Sequence, residues 1–136
     1  MRADFQEAIF ALAALQLRLG KTSEVNNLLA EAQKRLPKSA SGFMVAGDAA
    51  MSERRFEQAV RAYEDAFALE KSQAVLIKLH GALRAAGKPI VADTLASEWL
   101  QKNPDDLPVR YLLAQAAVVK QEYARAAEHF QYALKK

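Results

Sequence analysis

The stretch YARAAEHFQYAL, residues 123–134, decides the fold. Ala126, Phe130 and Ala133 follow one another at spacings of four and three residues, which places them on one face of a helix. Small residues on such a face let a second helix approach closely, while the larger residue fills the space between the two helices. The same spacing occurs in three earlier segments: Val25, Leu29 and Ala32; Ala59, Tyr63 and Ala66; Ala92, Ala96 and Trp99. The sequence therefore predicts one helix-packing unit used four times.

The repeat period is about 34 residues, because Pro37 and Pro104 each follow a long helical run and lie two such periods apart. On this period a single domain, residues 1–136, divides into units 6–39, 40–72, 73–106 and 107–136. A pair of residues three apart, apolar except for Arg110, recurs in the first half of each unit. These pairs are Ile9 and Leu12, Phe43 and Ala46, Leu76 and Leu79, Arg110 and Leu113. Two helices per unit are predicted, near 4–19, 22–35, 40–53, 56–69, 73–86, 89–102, 106–120 and 123–136.

The segment Gly20-Lys21-Thr22 has the ending of a phosphate-binding P-loop, but it is better explained as a corner between two helices. A P-loop needs a second glycine five positions earlier, where this chain has Leu15 inside a helical run. Gly20 and Gly87 occupy the same place in units one and three, so both are predicted to take the positive φ that ends a helix. Helix N-caps are predicted at Ser39, Ser72 and either Asp105 or Asp106, and Pro89 is predicted in the first turn of its helix.

Composition fits a helical globular protein. The 136 residues are 51% hydrophobic, so the chain can bury a core, and no run of 18 apolar residues suggests a membrane span. There is no cysteine, which excludes disulfides and thiolate chemistry and fits either the cytoplasm or the periplasm. The formal charge is +3, but acidic and basic residues alternate, as in SERRFEQAVRAYED, residues 52–65. A nucleic-acid partner is not predicted, because phosphate binding needs a basic cluster.

The arrangement resembles the tetratricopeptide-repeat (TPR) family over essentially the whole chain. Trp99 stands where that family usually has alanine. The resemblance implies an all-α fold, a right-handed superhelical α-solenoid of about four helix-turn-helix units. It rests most strongly on Tyr123, Ala126, Phe130 and Ala133 in unit four, and on Gly47, Phe56, Ala59, Tyr63 and Ala66 in unit two.

The TPR resemblance also implies a partner-binding hollow lined by the first helix of each unit. An apolar strip with a few polar groups suits an extended segment or a helix of another protein, and methionines add adaptability. Met44 and Met51, seven residues apart, are equally well explained as core residues. Of the positions at which some TPR domains bind the C-terminal carboxylate of chaperones, only Lys78 matches. The implied hollow residues are Phe10, Leu17, Arg18, Met44, Val45, Asp48, Met51, Ile77, Lys78, Arg84, Tyr111, Gln115 and Val118.

No catalytic constellation is present in the sequence, and no metal or cofactor is predicted. His80 and His129 are the only histidines, and they fall in different units without metal-ligand spacing. His80 is interpreted as a packing residue, and His129 as a partly exposed one. Asp105 and Asp106 are adjacent, so they diverge and cannot serve together as general acid and base. The sequence therefore predicts a protein that is not an enzyme.

A narrower resemblance is to the C-terminal repeats of TPR lipoproteins associated with the PEP-CTERM/exosortase system. It implies a fragment of a longer lipoprotein at the periplasmic side of a bacterial cell envelope, linked to exopolysaccharide production and protein sorting. Otherwise a cytoplasmic location is expected. We expect no membrane contact by this segment, and self-association through a C-terminal helix that lacks a cap. The matching residues are Lys78, Leu79, His80, Gly87, Lys88, Trp99, Leu100, Pro104, Asp105, Arg110, Leu113 and Ala114.

The predicted function is thus a protein- or peptide-binding scaffold whose partner is another protein. Two alternatives stay open. A helical-repeat RNA-binding module would need a strongly basic face. Substrate-binding repeats of a larger enzyme would need a catalytic domain elsewhere in a longer chain.

Overall fold

A computed structural model describes residues 3–35 and 39–135, which form eight α-helices and no strand. The predicted all-α class is confirmed, and each helix begins within one residue of its expected start. Pro37, from which the repeat period is derived, and the side chain of Ala32, which belongs to the first predicted packing face, lie outside the described part. The helices are α1 (Ala3–Arg18), α2 (Thr22–Arg35), α3 (Ala40–Ser52), α4 (Phe56–Leu69), α5 (Gln73–Ala85), α6 (Pro89–Lys102), α7 (Leu107–Val119) and α8 (Tyr123–Leu134).

The helices belong to two compact units, Met1–Ala86 and Gly87–Lys136. In the first unit, α1 packs against α2 and α3, α2 against α3, α3 against α4, and α4 against α5. In the second unit, α6 packs against α7, and α7 against α8. Packing between neighbours in the chain is the pattern of a helical-repeat protein, in which each helix pair covers the next.

Side-chain caps start three of the first helices. Ser39 Oγ accepts from the Gly42 N–H at 3.1 Å, and Ser72 Oγ accepts from the Val75 N–H at 3.4 Å. Of the two candidate aspartates, Asp106 is the N-cap of α7, because its Oδ1 accepts from the backbone N–H of the third helical residue at 3.3 Å. Pro89 occupies the first turn of α6, as predicted. These caps satisfy backbone donors that a helix start otherwise leaves unpaired.

In each of the four repeats, the turn between the two helices contains one residue with positive φ. Gly20 has φ +76° and Gly87 has φ +81°, which confirms the prediction. Arg54 at φ 60° and Gln121 at φ 62° occupy the same place in the second and fourth repeats, where the sequence offers no glycine. A left-handed residue after the last helical turn lets backbone N–H groups reach back to the final carbonyls.

Small residues at the predicted packing positions are buried in the second and third repeats, whereas in the fourth repeat Ala133 is half-buried and Phe130 stays 39% exposed. Ala59, Ala66, Ala92 and Ala96 have no exposed surface, and Ala126 is 3% exposed. In the third repeat Trp99 takes the place of a small residue and is half-buried, with its indole Nε1 donating to Asp106 Oδ2 at 2.7 Å. This hydrogen bond links the larger side chain to the N-cap of the next helix, α7.

Tyr63 shows why the second repeat carries a glycine beneath its aromatic residue. The ring of Tyr63 is 2% exposed and lies against Gly47 of α3, so closely that a Cβ on Gly47 would collide with it. The glycine therefore sets the distance between α3 and α4.

Candidate functional site

The predicted hollow residues fall on α1, α3 and α5 in the first unit and on α7 in the second. We call the first group the α1/α3/α5 set and the second the α7 set. Lys78 and Arg18 are exposed, and the other members of the α1/α3/α5 set are half-buried. That set is Phe10, Leu17, Arg18, Met44, Val45, Asp48, Met51, Ile77, Lys78 and Arg84, and the α7 set is Tyr111, Gln115 and Val118.

An ion pair joins α3 to α5 within the first set. Lys78 Nζ lies 2.9 Å from Asp48 Oδ1, and the two side chains keep 41% and 31% of their surface exposed. Asp48 also accepts a hydrogen bond from the hydroxyl of Tyr63 on α4. The carboxylate is therefore oriented from two helices, although its surface is open to solvent. A positioned but accessible ion pair can accept and donate hydrogen bonds to a bound molecule.

The hydroxyl of Tyr63 keeps the proton that it donates in the hydrogen bond to Asp48. Burial raises the pKa of Tyr63 far above its usual range, and the hydrogen bond and negative charge of Asp48 raise it further. Tyr63 consequently stays protonated at neutral pH, and Asp48 stays oriented toward Lys78.

Two methionines flank Asp48 along α3, each about one helical turn away. Met44, Asp48 and Met51 are spaced four and three residues apart, so they share one helix face. Both methionines are half-buried and reach solvent, which suits a surface that adapts to a partner.

Three other predicted hollow residues are at least partly structural. Phe10, Leu17 and Val45 pack against a buried cluster of the first unit, so they support the surface from below. The ring of Phe10 also lies against Gly42 of α3. The cluster consists of Ala13, Val25, Leu29 and Ala49.

The α7 set is more open. Tyr111 is 44% exposed and Val118 is 43% exposed, and Gln115 lies exposed between them on the same face. The Tyr111 ring is supported by Phe130 of α8, with the ring centroids 6.2 Å apart and the planes tilted by 38°. This contact holds an aromatic side chain at the surface, where a flat ring provides contact area at low conformational cost.

Arg110, the polar exception at an inner packing position, is explained by a cluster that sequence reasoning did not find. Its guanidinium lies 3.7 Å from the ring centroid of Tyr132, and its Nη2 donates to the Pro104 carbonyl at 2.7 Å. The Tyr132 hydroxyl donates to Asp105 Oδ1 at 2.7 Å. Arg110 thereby ties the start of α7 to α8 through stacking and a hydrogen bond. The signal in the sequence was an arginine at a position that is otherwise apolar.

His129 completes that cluster. Its Nδ1 lies 3.3 Å from Arg110 Nη1, and the ring is half-buried. Burial lowers the pKa of His129, and the positive charge of Arg110 lowers it further. His129 is therefore neutral at neutral pH and acts as a packing group. His129 was predicted to be partly exposed, as observed. His80, the histidine predicted to be a packing residue, is 1% exposed.

Within residues 3–35 and 39–135, no group of three or more histidine and acidic side chains is placed to hold a metal ion. In the same part of the chain, no helix is both long enough and apolar enough to cross a membrane.

The repeat geometry defines an all-α helical-repeat protein of the TPR fold. Solved structures with this architecture include a crystal structure of MamA, with a TM-score of 0.77 and 19% identity over 95% of this chain and 76% of that one. A MamA RS-1 double mutant has a TM-score of 0.75 and 16% identity, covering 98% of this chain and 76% of the other. The APC/C hetero-tetramer Cut9-Hcn1 has a TM-score of 0.70 and 18% identity over 93% of this chain and 26% of its own. These are TPR-repeat proteins, and at such identities the likeness shows the fold. No protein-family model matches the sequence, and no curated protein matches it significantly.

Proposed function

We propose that the chain is a non-catalytic scaffold that binds a protein or peptide through the first helices of its repeats. One observation carries the proposal: an accessible ion pair, Asp48 and Lys78, set beside the half-exposed apolar side chains of Met44 and Met51. This combination suits a peptide segment that is mainly apolar and has polar groups at intervals.

The chemistry of the ion pair indicates how a peptide is oriented. Lys78 has three N–H donors, of which Asp48 takes one, and each oxygen of Asp48 can accept more than one hydrogen bond. Main-chain carbonyl and N–H groups of an extended segment match these two side chains. Because the pair is neutral overall, it selects for hydrogen-bonding groups more than for net charge.

The finer part of the proposal is the setting. The residues around Lys78, Trp99 and Arg110 support a role in cell-envelope assembly linked to exopolysaccharide production and protein sorting, because they resemble PEP-CTERM-system lipoproteins. Fractionation of the cell that encodes the chain tests this setting independently of binding. Recovery of the chain only from the cytoplasm would contradict it.

The binding proposal is tested with selected peptides. A displayed random-peptide library is selected against the chain, and the recovered peptides are synthesised with a fluorescent label. Binding is then measured by anisotropy for the wild type, Met44→Glu, Met51→Glu and Lys78→Ala. The matched control is Leu69→Glu, because Leu69 is 56% exposed on the last turn of α4, outside the predicted surface.

We expect the two methionine variants to weaken binding at least about tenfold, since a buried charge against an apolar peptide costs more than about 1.4 kcal/mol. Leu69→Glu should bind like the wild type. Equal binding by all variants would overturn the proposal. Salt-dependent binding of single-stranded RNA, with no peptide selected, would instead favour the RNA-binding alternative.

A further inference from the structure

The carboxylate of Asp48 has one oxygen that accepts two hydrogen bonds and one that is open. The hydroxyl of Tyr63 and the Nζ of Lys78 both donate to Oδ1, whereas among residues 3–35 and 39–135 no group donates to Oδ2. Oδ2 is not a buried atom, and the Asp48 side chain keeps 31% of its surface exposed. Lys78 has two further N–H groups beside it. An open acceptor and an open donor therefore lie next to each other at the surface of the α1/α3/α5 set.

The electrostatics of the pair favour an uncharged ligand group. A ligand carboxylate would be attracted by Lys78 and repelled by Asp48, and a ligand ammonium or guanidinium would meet the reverse combination. The group that gains from both partners is neutral and presents a donor and an acceptor side by side. The carboxamide of asparagine and glutamine has this form, with an oxygen and an N–H on the same edge of one plane. A hydroxyl carries both functions on a single atom, as water does, so it gains little over the water that it displaces.

A main-chain peptide group does not serve the pair in the same way. Its trans geometry points the N–H and the C=O to opposite sides, so two separate groups of a segment are needed to reach Lys78 and Asp48. One carboxamide reaches both, and fewer atoms have to be ordered on binding. Met44 and Met51, one helical turn to either side of Asp48, then offer apolar contact to the residues that flank the carboxamide.

The second unit shows that the carboxylate and the hydroxyl that holds it change together. A shift of two repeat periods places Gln115 on Asp48 and Phe130 on Tyr63. Where the carboxylate is replaced, the equivalent ring has no hydroxyl. Tyr63 therefore belongs with Asp48 as a positioning residue, which keeps Oδ1 occupied and leaves Oδ2 for a ligand.

We propose that Asp48 and Lys78 together bind the side-chain carboxamide of an asparagine or glutamine in the partner segment. The carboxamide N–H donates to Asp48 Oδ2, and Lys78 Nζ donates to the carboxamide oxygen. This inference rests on the proposed peptide-binding function and adds the residue type that the ion pair recognises.

The experiment uses the labelled peptides selected against the full chain. Each asparagine or glutamine of a peptide is replaced in turn by glutamate, by serine and by an apolar residue of similar size, leucine for asparagine or methionine for glutamine. Binding is measured by anisotropy for the wild type, Lys78→Met, Asp48→Asn and Tyr63→Phe, and circular dichroism checks helical content. Lys120→Met is the matched control, because Lys120 forms an ion pair of the same kind with Asp93, at 2.8 Å and with 37% of its side chain exposed, outside the predicted surface.

At one position of the peptide, the apolar and the glutamate replacements should each weaken binding to the wild type at least about tenfold, because hydrogen bonds to charged groups are lost. Lys78→Met should weaken the carboxamide peptide by a similar factor and leave the apolar peptide unchanged, and Lys120→Met should bind both as the wild type does. In Asp48→Asn the repelling charge is gone, so the glutamate peptide should bind more tightly than the carboxamide peptide. Tyr63→Phe should weaken the carboxamide peptide about twofold to tenfold and spare the apolar one, whereas a role in stability alone would affect both equally.

The outcomes separate this inference from the function on which it rests. Peptides that are weakened by Met44→Glu but contain no asparagine or glutamine, or tolerate its replacement, would overturn the carboxamide inference and leave the binding function standing. Loss of affinity on Lys78→Met, with every replacement tolerated, would show that main-chain groups occupy the pair instead. Equal binding of the serine peptide would likewise overturn the inference. If no peptide is recovered, the inference and the proposed function fail together.

Discussion

The four helix corners permit a test in which only the backbone changes. Gly20 and Gly87 have positive φ, and a Cβ added to either meets no atom within 4 Å. Arg54 and Gln121 occupy the equivalent corners with φ near 60°. Replacing Arg54 by glycine should therefore stabilise the protein, and replacing Gly87 by alanine should destabilise it, with no change in packing in either case.

The size of the effect follows from two opposing terms. A left-handed conformation costs an L-amino acid about 1–2 kcal/mol of folding free energy. Glycine avoids this cost, but it lowers the free energy of unfolding by about 0.4–1 kcal/mol because it gives the unfolded chain more conformational freedom. The difference predicts a gain of about 0.5–1 kcal/mol for Arg54→Gly and a loss of about the same size for Gly87→Ala. For a chain of this length, such changes correspond to shifts in melting temperature of roughly 2–4 °C.

Urea unfolding followed by far-UV circular dichroism measures these differences, provided that the slope of the transition is unchanged. Arg54→Ala is the control, because it removes the side chain and keeps the strained backbone. We expect Arg54→Ala to stay within about 0.5 kcal/mol of the wild type, as exposed substitutions usually do. If Arg54→Gly is no more stable than Arg54→Ala, the left-handed strain inferred at this corner is absent and the reasoning fails.

Three further predictions concern the interior. Gly47→Ala should cost about 1–3 kcal/mol in urea unfolding, because the new methyl group meets the buried ring of Tyr63; an unchanged midpoint would contradict the close packing described. Asp106→Ala should cost about 1–2 kcal/mol in the same assay, because the N-cap of α7 and the acceptor for an indole are lost together; a neutral result would exclude a capping role. His129→Gln should flatten the pH dependence of the unfolding midpoint below about pH 6.5. The folded state lowers the pKa of His129 beside Arg110, so the stability from its neutral form is present above the unfolded pKa and is lost as pH falls through the folded value.

The positions of the helices could be predicted from the sequence because their signals are local. Ser39 and Ser72 precede helices that they cap through bonds within the same turn, and Gly20 marks a corner by its own conformational freedom. The corners at Arg54 and Gln121 carry no such residue. Only their place in the repeat, one period after Gly20 and one period after Gly87, marks them as left-handed.

The candidate site was less accessible to sequence reasoning, because its contacts join residues that are far apart in the chain. Asp48 and Lys78 were each assigned to the hollow by the TPR resemblance, but their pairing over 30 residues depends on the packing of α3, α4 and α5. The donation from Tyr63 to Asp48 was missed for the same reason. The side-chain periodicity of one helix does not specify which residue of another helix it meets.

A pair of polar links shows which features the repeat holds constant. Asn26 Nδ2 of α2 donates to Glu53 Oε1 after α3 at 2.9 Å, and Lys120 Nζ after α7 donates to Asp93 Oδ2 of α6 at 2.8 Å. Asp93 lies two repeat periods after Asn26, and Lys120 lies two repeat periods after Glu53, so the two links occupy equivalent places in the two units.

The direction of donation is nevertheless opposite, and an amide–carboxylate pair in one unit is replaced by an ion pair in the other. The repeat therefore preserves the position of a contact, while its chemistry is free to change. If surface residues obey the same rule, Met44, Met51 and Lys78 of the first unit and Tyr111 of the second occupy one type of surface with different chemistry. We accordingly expect each unit, taken by itself, to select its own peptides. A peptide that loses affinity on Met44→Glu should then bind normally to Tyr111→Glu, and a peptide that loses affinity on Tyr111→Glu should bind normally to Met44→Glu; equal weakening of one peptide by both variants would contradict this expectation.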